Sequence, residues 1–437
     1  MEQGNAVAKI LDIVKLFKTS VLSGIITIIR VASGFVASKV VAIFTGPAGV
    51  ALIGAFTNFT TITLTLANGA INTGVVKYAS EYKGNDHDLK FLFSSALRIS
   101  VLCSIIVGFI LIGFAPTFSD LVLKSNSFAG PFRMLGVTIV LYSINSLFIS
   151  ILNGLGELKL FTIVNTVGSI AGLAFTVVLV SVYNVVGALY ALVLSQSLVF
   201  FVTSFFIVKS KWFKWDFFFS RFSMNVAKQL SKFSLMAIVS AVSVPVSQIV
   251  VRNILINDLG IVSAGLWQGM VRVSDGYLLL ITTSLSTYYL PKLASLKLDS
   301  EVRKEILYGL KLILPVVFLG CIMIFLLRTQ IVKILYTREF SEMSTLFLWQ
   351  LVGDFFKVAA WIIGYQMVAK AMVMLYVVTD ILFNLFYVLF SYYFVSKMGI
   401  QGVTVAFAIS YILYFLTMVL IFRKLLAGNH SVKSLSK

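Results

Sequence analysis

Charge is what this 437-residue chain has least of. Asp, Glu, Lys and Arg make up 12% of it and apolar residues 59%, whereas a soluble globular domain is about 25% charged. A string of soluble domains is thereby excluded, because apolar runs of about 20 residues recur along the whole length and leave no polar segment large enough for one. Histidine is nearly missing: His87 lies in the polar run KGNDHD and His430 in the tail. Neither has a second His or Cys at ligand spacing, so no metal centre is encoded. The two cysteines, Cys103 and Cys321, both fall in apolar runs and read as small packing residues, not as a disulfide framework. No GxxxxGK[ST] occurs, which excludes a nucleotide-driven pump within this chain, and no cofactor is expected. Long polar loops are lacking too. The segments 115–130 and 328–342 are too small to carry catalytic groups of their own, so the chain does not read as an enzyme. Acidic residues number 17 against 35 basic ones. In a soluble protein that excess would suggest nucleic acid; here the placement of Lys and Arg explains it, and no nucleic-acid partner is expected.

What is present is a polytopic membrane protein. Hydropathy, Gly/Pro punctuation and polar breaks give about twelve helices, at 19–44, 49–75, 91–114, 131–152, 160–182, 187–208, 233–256, 261–290, 306–327, 343–369, 371–395 and 402–422. The first run is too long for a signal-peptide core and has no small-residue cleavage site after it, so it is expected to stay as a span. Both termini then share one side, which carries 22 of the inter-span Lys and Arg residues against five on the other. The positive-inside rule makes the termini cytoplasmic.

The chain also repeats itself. Gly187, Ala191 and Ser195 recur as Gly402, Ala406 and Ser410, and VKYAS ending at Ser80 recurs as PKLAS ending at Ser295, all displaced by 215 positions. Gly46 and Gly260 are displaced by 214. These matches imply an all-α protein of two pseudo-symmetric six-helix lobes, 1–208 and 233–437, joined by an interfacial linker at 209–232 whose KSKWFKWDFFFSRF suits a membrane surface. Even-numbered halves point the same way, as in two-lobed transporters with a site between the lobes.

Polar stripes mark the candidate site. Gln268, Arg272 and Asp275 share a face of the span at 261–290; Gln350, Asp354, Lys357 and Trp361 share one at 343–369; Asn58, Asn68 and Asn72 lie along 49–75; Asp380 lies in 371–395; and Arg30 follows Ser23 and Thr27 in 19–44. Such stripes cannot face lipid, so they surround a wet cavity or a polar core. Arg272 with Asp275, and Asp354 with Lys357, are i,i+3 neighbours that could instead neutralise each other. Lys39 and Arg252, toward the far ends of their spans, are expected to snorkel. Arg30 lies about 18 Å along its helix, beyond snorkelling reach, and with Arg272 it could hold an anion such as a phosphate. Asp275, Asp354 and Asp380 are candidate proton or sodium sites.

The words GPAGVALIGAF, GVVKYASEY, LNGLGELK, LWQGMVRVSDGYL with STYYLPKLAS, LYTREFS and QLVGDFFKVAAWIIGYQMVAKA, in this order, resemble the Wzx-type translocases for lipid-linked O-antigen or enterobacterial common antigen units. These stand in the larger exporter group (MOP) that also holds multidrug (MATE) transporters and the lipid II flippase. The resemblance covers nearly the whole chain. It implies a V-shaped bundle that alternates between inward and outward openings in the bacterial inner membrane. Its substrate would be a polyprenyl-diphosphate-linked glycan moved from inner to outer leaflet, with H+ or Na+ coupling and a polysaccharide polymerase or chain-length complex as neighbours. The alternative is a MATE-like multidrug or cation antiporter, which should carry an acidic cavity.

Overall fold

A computed structural model describes residues 2–210, 212–296, 298–370 and 372–428, with side chains throughout except at 2–26, 232–233, 287 and 291. The side chain of Ser23 and the whole of His430 lie outside that description. Helices follow in the order α1 (Glu2–Ala67), α2 (Asn72–Glu81), α3 (Asp86–Gly113), α4 (Ala115–Leu123), α5 (Ala129–Leu155), α6 (Leu158–Val208), α7 (Met224–Leu259), α8 (Ile261–Ser284), α9 (Leu290–Ser295), α10 (Asp299–Leu326), α11 (Arg328–Leu335), α12 (Phe347–Ala369), α13 (Val373–Met398), α14 (Gln401–Ile421) and α15 (Arg423–Ala427). Among the described residues there is no strand.

Two of these helices are far too long for one crossing. At ~1.5 Å per residue α1 would reach about 100 Å against a hydrocarbon core of ~30 Å. It bends at Gly46, whose φ of 60° and ψ of −171° leave the helical region, a conformation open to glycine because it lacks Cβ. Along the first arm the partners on α8 run downward, from Phe35 against Gly276, through Ser38 beside Arg272, to Pro47 against Gly265. After the bend they climb back to Gln268, which meets Gly54, so the chain has reversed. α6 bends likewise at Asn184 (φ 51°, ψ −129°). Among the described residues, nine stretches are long and apolar enough to span a bilayer. Counting each bent rod twice and adding the charge-bearing α8 recovers the twelve expected spans.

The duplication is visible in the backbone. Asn184 and Gly399 turn with nearly the same angles (Gly399 φ 60°, ψ −144°) and are 215 positions apart. At each turn the following glycine touches a carbonyl eight residues back, Gly187 that of Leu179 and Gly402 that of Phe394. α3 and α4 are matched by α10 and α11, each pair starting 213 positions apart.

One stretch departs from the expected boundaries. α7 begins at Met224, inside the segment expected to be linker, because Ser223 caps it by accepting from the Val226 amide at 3.5 Å. The linker itself is held to the first half. Phe217, Phe218, Val226 and Leu230 join the core built by α2, α3 and α5.

The face that carries Glu81, Leu158, Val208 and Ala427 is here called the terminal face, and the opposite one, with Gly46, Asn184, Gly260 and Gly399, the distal face. A single core spans both halves toward the distal face, where Val41, Ile53 and Phe56 of α1 meet Met270, Val273, Tyr336 and Phe347. Toward the terminal face the second half keeps a core of its own, built from α8 to α15 with no buried member before Leu278. The shared core therefore lies distally, while toward the terminal face α7 packs on α2, Leu230 against Gly74 and Ser234 donating to the Gly69 carbonyl at 3.2 Å. On the terminal side α1 leaves Gly34 facing open space and Arg30 exposed.

Candidate functional site

Two features lie in the interior: a cleft between the halves and a cavity of about 480 Å³ within the second half. α7, α12, α13 and α14 wall the cavity, with the end of α8 at its rim, where Ser286 is exposed and lies 3.1 Å from the Tyr365 hydroxyl. The lining is aromatic and polar at once: Trp361, Tyr365, Tyr376, Tyr411 and Tyr414 with Gln248, Asn384, Asp380 and Lys357. α7 and α13 are cross-linked along the wall by Ser240 to Tyr376 at 2.6 Å and Ser247 donating to Asn384 at 3.0 Å. Asp380 sits between those two links. One of its oxygens, Oδ2, is buried without a hydrogen-bond partner.

Of the twelve residues singled out from sequence, Lys357, Trp361 and Asp380 line this cavity. Asp275 is exposed although it lies mid-span, and it is within electrostatic reach of Lys357 and Arg272. Arg30 is exposed on the first-half side, in electrostatic reach of Tyr142 on α5.

The others serve helix contacts. Asp354 is fully buried and accepts from Ser274 at 2.7 Å, from Tyr277, and from Gln350 at 3.4 Å. Asn68 accepts from Ser143 and Asn72 donates to Ser146 at 2.8 Å, both clasping α5. Gln268 accepts from Arg252. Asn58 is half-buried, with its Nδ2 unpartnered. Arg272 does not reach Arg30's position: it donates to Ser38 at 3.3 Å and lines only a notch of about 10 Å³ with Ser38, Val41, Val50, Ile53 and Tyr336.

Three expectations are corrected here. Neither i,i+3 pair neutralises itself: among the described residues, ion pairs occur only at the terminal face, as at Lys90–Asp216 and Lys214–Asp86. Geometry explains this, since Asp354 turns to α8 and Lys357 turns to the cavity. Arg252 does not snorkel. It is 2% exposed, packed 5.8 Å from the Trp267 ring and bonded to Gln268. Lys39 does not snorkel either. Its ammonium donates to the carbonyls of Lys333, at 3.1 Å, and Tyr336, the free carbonyls at the C-terminal end of α11, where a cation is favoured.

Sequence reasoning missed a set of residues that it could not have placed. Ser38 and Lys39 on α1, with Arg272, Tyr336 and the α11 terminus, form a polar clasp across the distal side of the cleft. Gly265 brings the α8 backbone against Pro47, with any Cβ there only 1.9 Å from the Pro47 carbonyl oxygen. The clasp could not be read beforehand because two of its three acceptors are backbone carbonyls. The tyrosines of α14 were also missed; their spacing at 411 and 414 was the available signal.

Comparison with known proteins gives three findings. A family model described as polysaccharide biosynthesis protein matches residues 40–345. Lipid III flippases of Escherichia coli K12 and Shigella flexneri are each 28% identical over 400 residues, which covers 92% of this chain and 96% of theirs. Among solved structures, an inward-facing multidrug resistance MATE family transporter of the MOP superfamily superposes with a TM-score of 0.76 at 17% identity, over 93% of this chain and 96% of its own. Its outward-facing counterpart gives 0.68 at 18%, over 97% and 96%. A MOP superfamily transporter from Pyrococcus furiosus, whose binding pocket is described as of reverse polarity, gives 0.70 at 16%, over 93% and 96%.

Proposed function

The chain belongs to the polysaccharide biosynthesis protein family, and on that premise we propose that it is a flippase carrying a polyprenyl-diphosphate-linked oligosaccharide from the inner to the outer leaflet of a bacterial inner membrane. The observation that carries this reading is a bundle whose halves share a clasped core on the distal face, with an inward cation in each half. Arg30 is exposed on α1 of the first half, and Lys357 lines the cavity within the second. Guanidinium and ammonium groups in a low-dielectric gap suit a diphosphate, whose charge neither wall supplies. Trp361, the tyrosines, Asn384 and Gln248 suit sugar faces and hydroxyls. The polyprenyl tail has no need of the cavity, because it can stay in the bilayer.

The excess of Lys and Arg on the terminal side supports cytoplasmic termini. The cleft then opens toward the inner leaflet, where such a substrate is assembled. Alternating access follows if the distal clasp releases while the terminal side closes. The sequence carries no GxxxxGK[ST], which leaves an ion gradient or the substrate's own gradient as the energy source, and we propose the ion gradient. Asp380, with its unpartnered oxygen between the α7–α13 links, is the residue we assign to H+ or Na+ binding. A cationic-drug antiporter would place carboxylates where Lys357 stands, which disfavours that alternative.

The test is reconstitution. In proteoliposomes loaded with a polyprenyl-diphosphate-linked oligosaccharide, the wild-type chain should expose the glycan of the inner leaflet to an external impermeant oxidant. Arg30→Ala should slow that exposure by about tenfold, the worth of one charge-assisted contact of ~1.4 kcal/mol. An imposed proton or sodium gradient should speed the wild type. Exposure no faster than in protein-free vesicles, with the protein inserted and monodisperse, would remove the proposal.

A further inference from the structure

Lys357 reaches into the cavity of the second half without an ion partner. Its ammonium lies 5.1 Å from the ring centroid of Trp361, 5.3 Å from that of Tyr411 and 5.5 Å from that of Phe407. All three are inside the ~6 Å within which a cation is held by an aromatic face. The nearby carboxylates are engaged elsewhere or stand off: Asp354 is bonded by Ser274, Tyr277 and Gln350, and Asp275 acts on Lys357 through its field alone. Three rings around one cation is the arrangement by which aromatic cages capture quaternary ammonium ligands. Here the captured cation belongs to the chain.

We propose that Lys357 is a tethered occupant of this cage, and that it denies the second-half cavity to lipophilic organic cations which the cavity would otherwise bind. With the ammonium removed, the cavity would hold the tilted ring pairs Phe407–Tyr411 (4.7 Å) and Phe383–Tyr414 (4.8 Å), the Trp361 face and the unpartnered oxygen of Asp380. Asp354 would lose its nearby cation and Asp275 would keep Arg272 alone, so the negative potential from the direction of α8 would rise. Aromatic faces with surplus carboxylate are the chemistry of an organic-cation site, and about 480 Å³ falls within the ~300–1,000 Å³ of small-molecule sites. With the ammonium in place an arriving cation meets a like charge at the cage, whereas an anionic group meets an attractive one. One side chain thus sets the sign of ligand that the cavity accepts, on a fold shared with multidrug resistance transporters.

The inference rests on the cavity alone and not on the glycan substrate. It is tested by binding, so its failure would leave the flippase reading standing. Tetraphenylphosphonium binding to the purified full-length protein is measured by equilibrium dialysis for the wild type, Lys357→Met, Lys357→Arg and the double variant Lys357→Met, Asp380→Asn. Lys357→Met should bind at least about tenfold more tightly than the wild type, equivalent to ~1.4 kcal/mol. Lys357→Arg should bind as weakly as the wild type, because the cage stays filled, and the double variant should lose most of the gain. Equal affinity in the wild type and Lys357→Met overturns the proposal, as does a gain in Lys357→Arg matching that of the methionine variant. Should Lys357→Met not elute as a monodisperse protein, Lys357→Gln is read in its place by the same criteria.

Discussion

Asp354 shows how a charged residue can sit in the middle of a span and line no cavity at all. Its carboxylate is fully buried where α12 crosses α8, and donors from two helices converge on it: Ser274 and Tyr277 from α8, Gln350 from its own helix. A buried acceptor deprived of one donor bears a desolvation cost of about 1–3 kcal/mol. Tyr277→Phe removes one donor and little volume, so the purified protein should unfold at a lower temperature than the wild type in fluorescence-detected size-exclusion. An unshifted transition would mean that the knot contributes nothing to holding α8 on α12. The same residues mark the limit of what the sequence disclosed. Periodicity placed Gln350, Asp354, Lys357 and Trp361 on one stripe, and the stripe does turn inward. Whether an inward face meets a neighbouring helix or a cavity depends on a crossing angle that no single helix encodes. Asp354 and Lys357, three positions apart, fall on opposite sides of that division.

The bends and tight turns were far more legible, because they depend on local sterics. Gly46, Gly187, Gly260 and Gly402 stood out by their repeat spacing, and in the structure each sits at or beside a turn between spans. Asn184 was not marked, since asparagine tolerates a positive φ without advertising it. Gly402 is one of the places where the chain has little latitude. A Cβ there would lie 2.2 Å from the Phe394 carbonyl oxygen, and backbone cannot swing aside as a flexible side chain can. Gly402→Ala should therefore open the α13–α14 turn and lower the yield of monodisperse protein, whereas Gly320→Ala on α10, with nothing within 4 Å of the new methyl, should leave it unchanged. Equal yields for the two variants would show that the turn can relax around the methyl. At this scale the sequence erred mainly in length, ending the linker after α7 had already begun, because a serine N-cap carries weaker hydropathic contrast than the apolar run that follows it.

At the scale of the molecule, the halves are held in one arrangement by the shared core and polar clasp at the distal face and by the packing of α7 on α2 toward the terminal face. Beside that core the distal contacts are of two kinds. Lys39 on the α11 carbonyls and Arg272 on Ser38 are polar and reversible. Gly265 against Pro47 is a backbone approach that only a residue without Cβ permits, the small-residue packing that lets membrane helices close tightly. A transporter needs such a seam to be tight and yet separable: the shared core of Val41, Ile53 and Phe56 with Met270, Val273 and Tyr336 makes it tight, and the polar contacts beside it can be exchanged for water as it parts. Enlarging position 265 should prise it apart. In a background with Cys103→Ser and Cys321→Ser, a reporter made by Ser38→Cys should resist a membrane-impermeant maleimide added outside intact cells, because that position is buried within the clasp. Adding Gly265→Leu should expose it and raise labelling several-fold, and adding Lys39→Ala should do so to a smaller extent, since that change leaves the backbone contact in place. Labelling of the reporter that is already complete without either change, or unaltered by Gly265→Leu at equal membrane abundance, would mean that the distal seam does not close the path from outside, and alternating access in this chain would have to be built on a different pair of surfaces.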